Sequence, residues 1–457
     1  MAYFLMVFAL LLPVSAAITM PLVFRLSSQK FRYYYPMAIL ACCAICCSVM
    51  ALNAYSAARP NEIALFVPPG FDLILSATPL TSLLATILSW SCLAAYIRCG
   101  AIPSVPSKHY SRFCSSFMLY SACIMAATFS GSLLWIYVFW QLSAICLWAM
   151  TGKSSNQEDN IKADGMLIRI STVSALMLFA FVSIYLQYGT FNMGSLVGET
   201  VSFLQAFMIS AGLIMPLAIL PGITRMSVAG KPSYAVEFSL PASVMAIAGL
   251  CLYVRTICSC LAASQNFHIF ITAVSFIAMG LFLWEFFTGQ DQKKQPVLLS
   301  CVMLALAFPG FSSLTNMGVS GGIMTILATV PFLMAAMIVY GNKDKSSRLG
   351  YATAIISFLA LAGLPPAGVF FSRFMVLCSI AQQGNPWIMS VYILSAIVSV
   401  VAIVRLFRQF RLAGTETSLA DMEAFVLSII GLAVGLLVHY PSSYIVLTSV
   451  VHGVNLQ

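Results

Sequence analysis

The sequence predicts an all-α polytopic membrane protein of about 14 transmembrane helices, built around two inverted repeats that each contain a broken helix. Three observations point there. Hydrophobic residues make up 61% of the chain and charged residues 8%, with a mean hydropathy of +0.97, whereas soluble domains carry about 25% charged residues. Runs of about twenty apolar residues, the length that crosses a bilayer as a helix, recur throughout the chain. Two apolar stretches are interrupted by helix breakers: Pro216 to Gly222 (PLAILPG) and, about 145 residues later, Leu361 to Phe374 (LAGLPPAGVFFSRF). Broken segments in corresponding places of two halves mark an inverted-repeat transporter core.

The spans fall near 3–24, 34–57, 73–97, 113–130, 132–151, 166–188, 203–222, 237–257, 267–288, 297–315, 320–341, 350–381, 388–407 and 424–450. No Lys or Arg precedes the first apolar run, so the charged start of a signal peptide is missing and the run reads as a retained helix. Basic residues test the count separately, because they collect in cytoplasmic loops. With the N-terminus outside, the inside loops hold Arg25, Lys30 and Arg32; Arg98, Lys108 and Arg112; Lys153, Lys162 and Arg169; and Arg225 and Lys231. They continue with Lys293 and Lys294; Lys343, Lys345 and Arg348; and Arg405, Arg408 and Arg411, in all 19 of the 22 basic residues. Arg59 and Arg255 fall in outside loops, and Arg373 lies within a span. The expectation is an integral protein of a bacterial inner (cytoplasmic) membrane with both termini on the outer face. Topology thus explains the net charge of +9 without a nucleic-acid partner. Gly414 to Asp421 (GTETSLAD) ends in residues suited to start the last helix.

Few polar groups lie inside the spans. The 361–374 stretch carries Gly363, Pro365, Pro366 and Gly368, and the earlier stretch carries Pro216 and Pro221. In a bilayer, broken backbone is tolerated only where protein or a watery cavity satisfies it. An ionisable residue beside such a break is a functional candidate, which singles out Arg373. Its alternative is to snorkel toward the surface, about nine residues from the end of its span. Gln141 is the central polar group of the fifth span, and Glu237 and Glu285 sit at the inner ends of theirs, suited to headgroup water. His109, His268, His439 and His452 do not cluster. Most of the 14 cysteines, including Cys42, Cys43, Cys46 and Cys47 in CCAICC, read as small buried hydrophobes. No catalytic, metal or cofactor-binding site is expected.

Several stretches resemble one family, the antiporter-like subunits of respiratory complex I, shared with the D-type subunit of Mrp cation/proton antiporters and with membrane-bound hydrogenases. They are Phe139 to Gly152 (FWQLSAICLWAMTG), Tyr188 to Leu196 (YGTFNMGSL), Met215 to Gly222 and Ala248 to Arg255 (AGLCLYVR). Gln290 to Ser300 (QDQKKQPVLLS) follows, and Leu361 to Phe374 is similar to the family's LAGxPPxxGFFxKF. The resemblance implies two inverted five-helix repeats at 111–262 and 267–412, with a three-helix region at 1–110 before them and a last helix at 423–457. It also implies a titratable axis of a glutamate and several lysines along which protons move. Here the glutamate becomes Gln141, the seventh-span lysine falls near Ala211, the eighth-span lysine becomes Ile247 and the twelfth-span lysine becomes Arg373. Between Gln295 and Asn342 there is no Lys, so a further family lysine is also missing. Gln keeps the shape of Glu without ionising, and Arg keeps a charge that proteins do not remove, so no inherited position titrates near ambient pH.

The resemblance therefore implies a membrane subunit of an NADH:quinone oxidoreductase or Mrp-like complex, of the proton-transport type; the largely lost titratable axis points to a structural rather than pumping role, beside which stands conduction through the altered residues. Its partners would be other membrane subunits, the lipid bilayer and protons or monovalent cations. The alternative is a stand-alone secondary solute or cation transporter with a similar inverted-repeat core.

Overall fold

A computed structural model of the chain describes residues 2–26, 28–56, 61–65, 72–100, 107–151, 157–223, 235–341, 346–412 and 419–438, and these are almost entirely helical. The chain divides into two compact units, Met1–Ala262 and Ala263–Gln457. Among the described residues, eleven helical segments are long and apolar enough to cross a membrane, and three further apolar helices are shorter.

The first unit contains α1 (Ala2–Leu26), α2 (Gln29–Ser56), α3 (Pro79–Gly100), α4 (Ser107–Phe129), α5 (Leu133–Thr151), α6 (Gln157–Tyr188), α7 (Phe203–Ile223) and α8 (Ala235–Tyr253). The stretch Leu240–Cys258 is buried along its whole length, with α3, α4 and α7 packed on α8. Gly249 sets how closely α7 and α8 approach: a Cβ there would lie 2.0 Å from the Leu213 carbonyl oxygen. Small residues serve membrane bundles in this way, because packing rather than water exclusion drives helix association in lipid. The exposed faces of α1, α2 and α6 are aliphatic and aromatic, the chemistry that hydrocarbon tolerates.

The second unit contains α9 (Gln265–Thr288), α10 (Gln295–Ala305), α11 (Phe308–Ser312), α12 (Asn316–Tyr340), α13 (Arg348–Leu361), α14 (Gly368–Gln382), α15 (Pro386–Phe407) and α16 (Leu419–Val438). The centre is α12, which packs on α10, α11, α13, α14 and α16. Gly321 and Gly322 open one of its faces: a Cβ at Gly322 would meet the Phe311 ring at 2.4 Å, and one at Gly321 would meet Met375 and Val376 at 3.0 Å. Ser347 caps α13 by accepting the Gly350 amide at 3.0 Å and donates to Asp421 Oδ2 at 2.9 Å, which ties the start of α16 to the start of α13.

Four sequence expectations change. The third span does not begin as helix: Leu73–Ala77 forms a strand, β2, antiparallel to β1 (Asn61–Leu65). Helix starts only at Pro79, where Thr78 and Thr81 cap it reciprocally. The 297–315 span is two helices, α10 and α11, separated at Leu306–Ala307 with Pro309 in the first turn of α11. Arg255 is no loop residue; a π-helical turn, Val254–Cys258, carries it inward from the end of α8 and buries it. Pro216 does not interrupt α7, whose backbone stays helical from Phe203 to Ile223; Pro221 lies two residues before the end of that described stretch, and residues 224–234 lie outside the described chain. A lone proline removes one hydrogen bond, and membrane helices accommodate that through their neighbours. α1, α2, α8 and α12 also contain interior prolines.

Candidate functional site

The break between α13 and α14 is built from its sequence. Gly363 takes the left-handed backbone (φ +81°) that a side chain would strain, and ends α13. Its amide bonds the Ala360 carbonyl at 2.9 Å and the Leu364 amide bonds that of Leu359 at 3.3 Å, the paired pattern of a Schellman cap. Pro365 and Pro366 then keep the helix from resuming until Gly368, where α14 begins.

This cap leaves the carbonyls of Leu361 and Ala362 open, and Arg373 takes both. One terminal guanidinium nitrogen donates to the Ala362 oxygen at 3.1 Å; the other donates to Leu361 at 2.8 Å and meets Met303 Sδ at 3.2 Å. The side chain points back along α14 toward the break, the direction helical side chains take, and does not snorkel. No carboxylate pairs with Arg373 among the described residues. The carbonyls and the negative end of the α13 dipole hold the cation instead. The hydroxyl of Tyr392, buried on α15 without a hydrogen-bond partner, lies within electrostatic range.

Gln141 lies on α5. Its amide nitrogen donates to the Tyr137 hydroxyl one turn earlier at 3.3 Å, while Oε1 is buried and bonds nothing in the protein. The neighbouring Trp140 is buried, its indole nitrogen unpartnered, and its ring tip would lie 3.3 Å from a Cβ at Gly249 of α8.

The sequence profile of the family described as "NADH:quinone oxidoreductase/Mrp antiporter, TM" matches residues 130–399. The chain belongs to this family. F(420)H(2) dehydrogenase subunit N of Methanosarcina mazei is 22% identical over 335 residues, covering 66% of this chain and 68% of its own. NADH-quinone oxidoreductase subunit N 2 of Rhizobium meliloti is 24% identical over 378 residues, covering 76% of each. A chain of respiratory complex I from Thermus thermophilus, solved with bound NADH, has the same fold (TM-score 0.78, 17% identity, 98% of this chain and 100% of that one).

Ile247 and Ala211, which the sequence resemblance sets against lysines, are apolar side chains on α8 and α7. Ile247 is buried in α8 two residues before Gly249, where the α7 and α8 backbones touch. Ala211 is half-buried on α7. Glu285 forms an ion pair with Lys294 at 3.2 Å, whereas the Glu237 side chain lies outside the described residues.

Sequence reasoning missed two polar constellations. Arg255 donates to the Ala127 carbonyl at 3.3 Å, to the Thr128 carbonyl and to Ser76 Oγ at 3.0 Å, joining the end of α4 to β2. In the second unit, Ser313, Thr315 and Ser379 form a closed hydroxyl triangle with edges of 3.2, 2.7 and 2.6 Å where α11, α12 and α14 meet. Gln383 bonds the Ser313 carbonyl at 2.9 Å beside it. The only sequence signal was two serines and a threonine near helix ends. Of the α2 cysteines, all thiols, Cys43 and Cys47 are buried, with Cys43 donating to the Ala9 carbonyl of α1 at 3.6 Å, whereas Cys46 is half-buried and Cys42, against expectation, is exposed; among the described residues no group of three His, Cys, Asp or Glu could hold a metal.

Proposed function

We propose that this chain is a structural membrane subunit of a multisubunit complex of the NADH:quinone oxidoreductase or Mrp type, and that its own proton path is silent. The carrying observation is the chemistry of the residues that the sequence resemblance sets against the family's axis: Gln141, Ala211, Ile247 and Arg373. A relay needs groups that gain and lose protons near ambient pH. Gln, Ala and Ile have no such proton, and an arginine holding two backbone carbonyls keeps its charge. The α7–α8 contact at Gly249 leaves no width for a water file between those backbones at that level.

The named relatives are subunits, one of an F(420)H(2) dehydrogenase and one of an NADH-quinone oxidoreductase. That supports assembly with other membrane subunits over a stand-alone transporter. The basic-loop distribution supports an orientation with both termini on the outer face. Proton flux through the chain reconstituted in vesicles tests the silent path, and identification of chains that co-purify in mild detergent tests the assembly.

A further inference from the structure

The ends of α9 and α15 carry a surface that the silent-axis reading does not use. The two helices pack together. Arg405, near the end of α15, donates to the carbonyl of Phe287, near the end of α9, at 3.2 Å. Its guanidinium also lies 5.6 Å from the Phe287 ring centre, a cation–π distance. These contacts fix the guanidinium and leave the residue exposed. Arg408 follows one turn later, on the same side of the helix, and both it and Arg411 are exposed. None of the three pairs with a carboxylate among the described residues. The neighbouring acid, Glu285, is already taken by Lys294 at 3.2 Å.

Below this basic edge the exposed faces are apolar. Ile277, Leu281 and Trp284 line α9 at helical spacing, each more than 60% exposed. Ile397, Val401 and Val404 line α15 in the same way, each about half exposed. An aromatic ring, the held guanidinium of Arg405 and the exposed one of Arg408 at a helix end, above two apolar stripes, suit a phospholipid with a net negative headgroup. Its phosphate meets the arginines and its acyl chains lie along the stripes. We infer that the α9–α15 face is a binding site for an anionic phospholipid, with Arg405 and Arg408 holding the headgroup. A free anion would engage the arginines alone and would gain nothing from the apolar stripes beside them.

The test is native mass spectrometry of the purified full-length chain in dodecyl maltoside, titrated with dioleoyl-phosphatidylglycerol or dioleoyl-phosphatidylcholine. Arg405→Gln with Arg408→Gln should weaken phosphatidylglycerol binding roughly thirtyfold, since each charge near an anionic lipid gives about a fivefold gain. Phosphatidylcholine binding should not change. Arg408→Gln alone, which keeps the Phe287 contacts, should lose roughly fivefold with an unchanged lipid-free unfolding midpoint, separating headgroup binding from folding. Brominated phosphatidylglycerol should quench tryptophan emission, and the quench should shrink in Trp284→Phe. Equal phosphatidylglycerol binding by wild type and double variant would overturn the inference. So would equal preference for the two lipids, displacement by glycerol 3-phosphate, or a complex in which a protein partner covers α9 and α15 and no phosphatidylglycerol is retained.

Discussion

At the residue scale, the decisive side chain is Arg373, because it satisfies backbone that its own broken span sets free. Removing it leaves the Leu361 and Ala362 carbonyls open inside the membrane, at roughly 1–3 kcal/mol each. Arg373→Ala should therefore lower the unfolding midpoint in detergent and reduce assembly, by about 2–6 kcal/mol of stability in all. Arg373→Lys keeps a charge and donors and should assemble, losing about 1 kcal/mol. Equal damage from the two substitutions would show that shape rather than hydrogen bonding matters there. This role was legible in sequence, since a cation following two prolines and two glycines has few other uses. Arg255 was not legible. Its partners are carbonyls of Ala127 and Thr128 and the hydroxyl of Ser76, and backbone acceptors more than a hundred residues away leave no mark in a sequence. The π-helical turn that draws it inward is likewise invisible to an apolar-run count.

At the element scale, proline by itself proved a poor sign of a broken helix. α1, α2, α8 and α12 contain prolines and continue through them, as α7 does at Pro216. What ends α13 is Gly363 in a left-handed conformation with two prolines behind it. The α10–α11 break went unread because Leu306 and Ala307 are as apolar as their neighbours. Close helix approach gives a sharper test of the packing. Gly249→Ala would press a methyl against the Leu213 carbonyl and should destabilise the first unit by several kcal/mol, as overpacking does. Gly280→Ala on α9, where nothing lies within 4 Å, should leave the unfolding midpoint unchanged or raise it slightly. A midpoint unaffected by Gly249→Ala would contradict the α7–α8 contact. The α13–α14 pair should also cross the membrane despite its break. A reporter fused after Ser347 is expected inside and one fused after Gly384 outside, and a shared side would refute that crossing.

At the scale of the whole molecule, composition, span spacing and ordered motifs made the family readable, and its profile matches residues 130–399. The sequence could not show how the two units pack internally, because that depends on where glycines let backbones touch. Affinity purification in mild detergent should recover other membrane subunits with this chain; recovery of the chain alone would remove the assembly half of the account. The central claim is that the inherited proton path no longer conducts, and proton flux in vesicles reconstituted with the purified chain tests it most directly. Wild type should conduct no faster than protein-free vesicles, and Gln141→Ala should change nothing. Gln141→Glu combined with Arg373→Lys restores two family-type titratable groups while Ala211 and Ile247 stay apolar, and flux should remain at that background. Robust wild-type flux that Gln141→Ala abolishes would contradict the account and identify a pump with a rewired path.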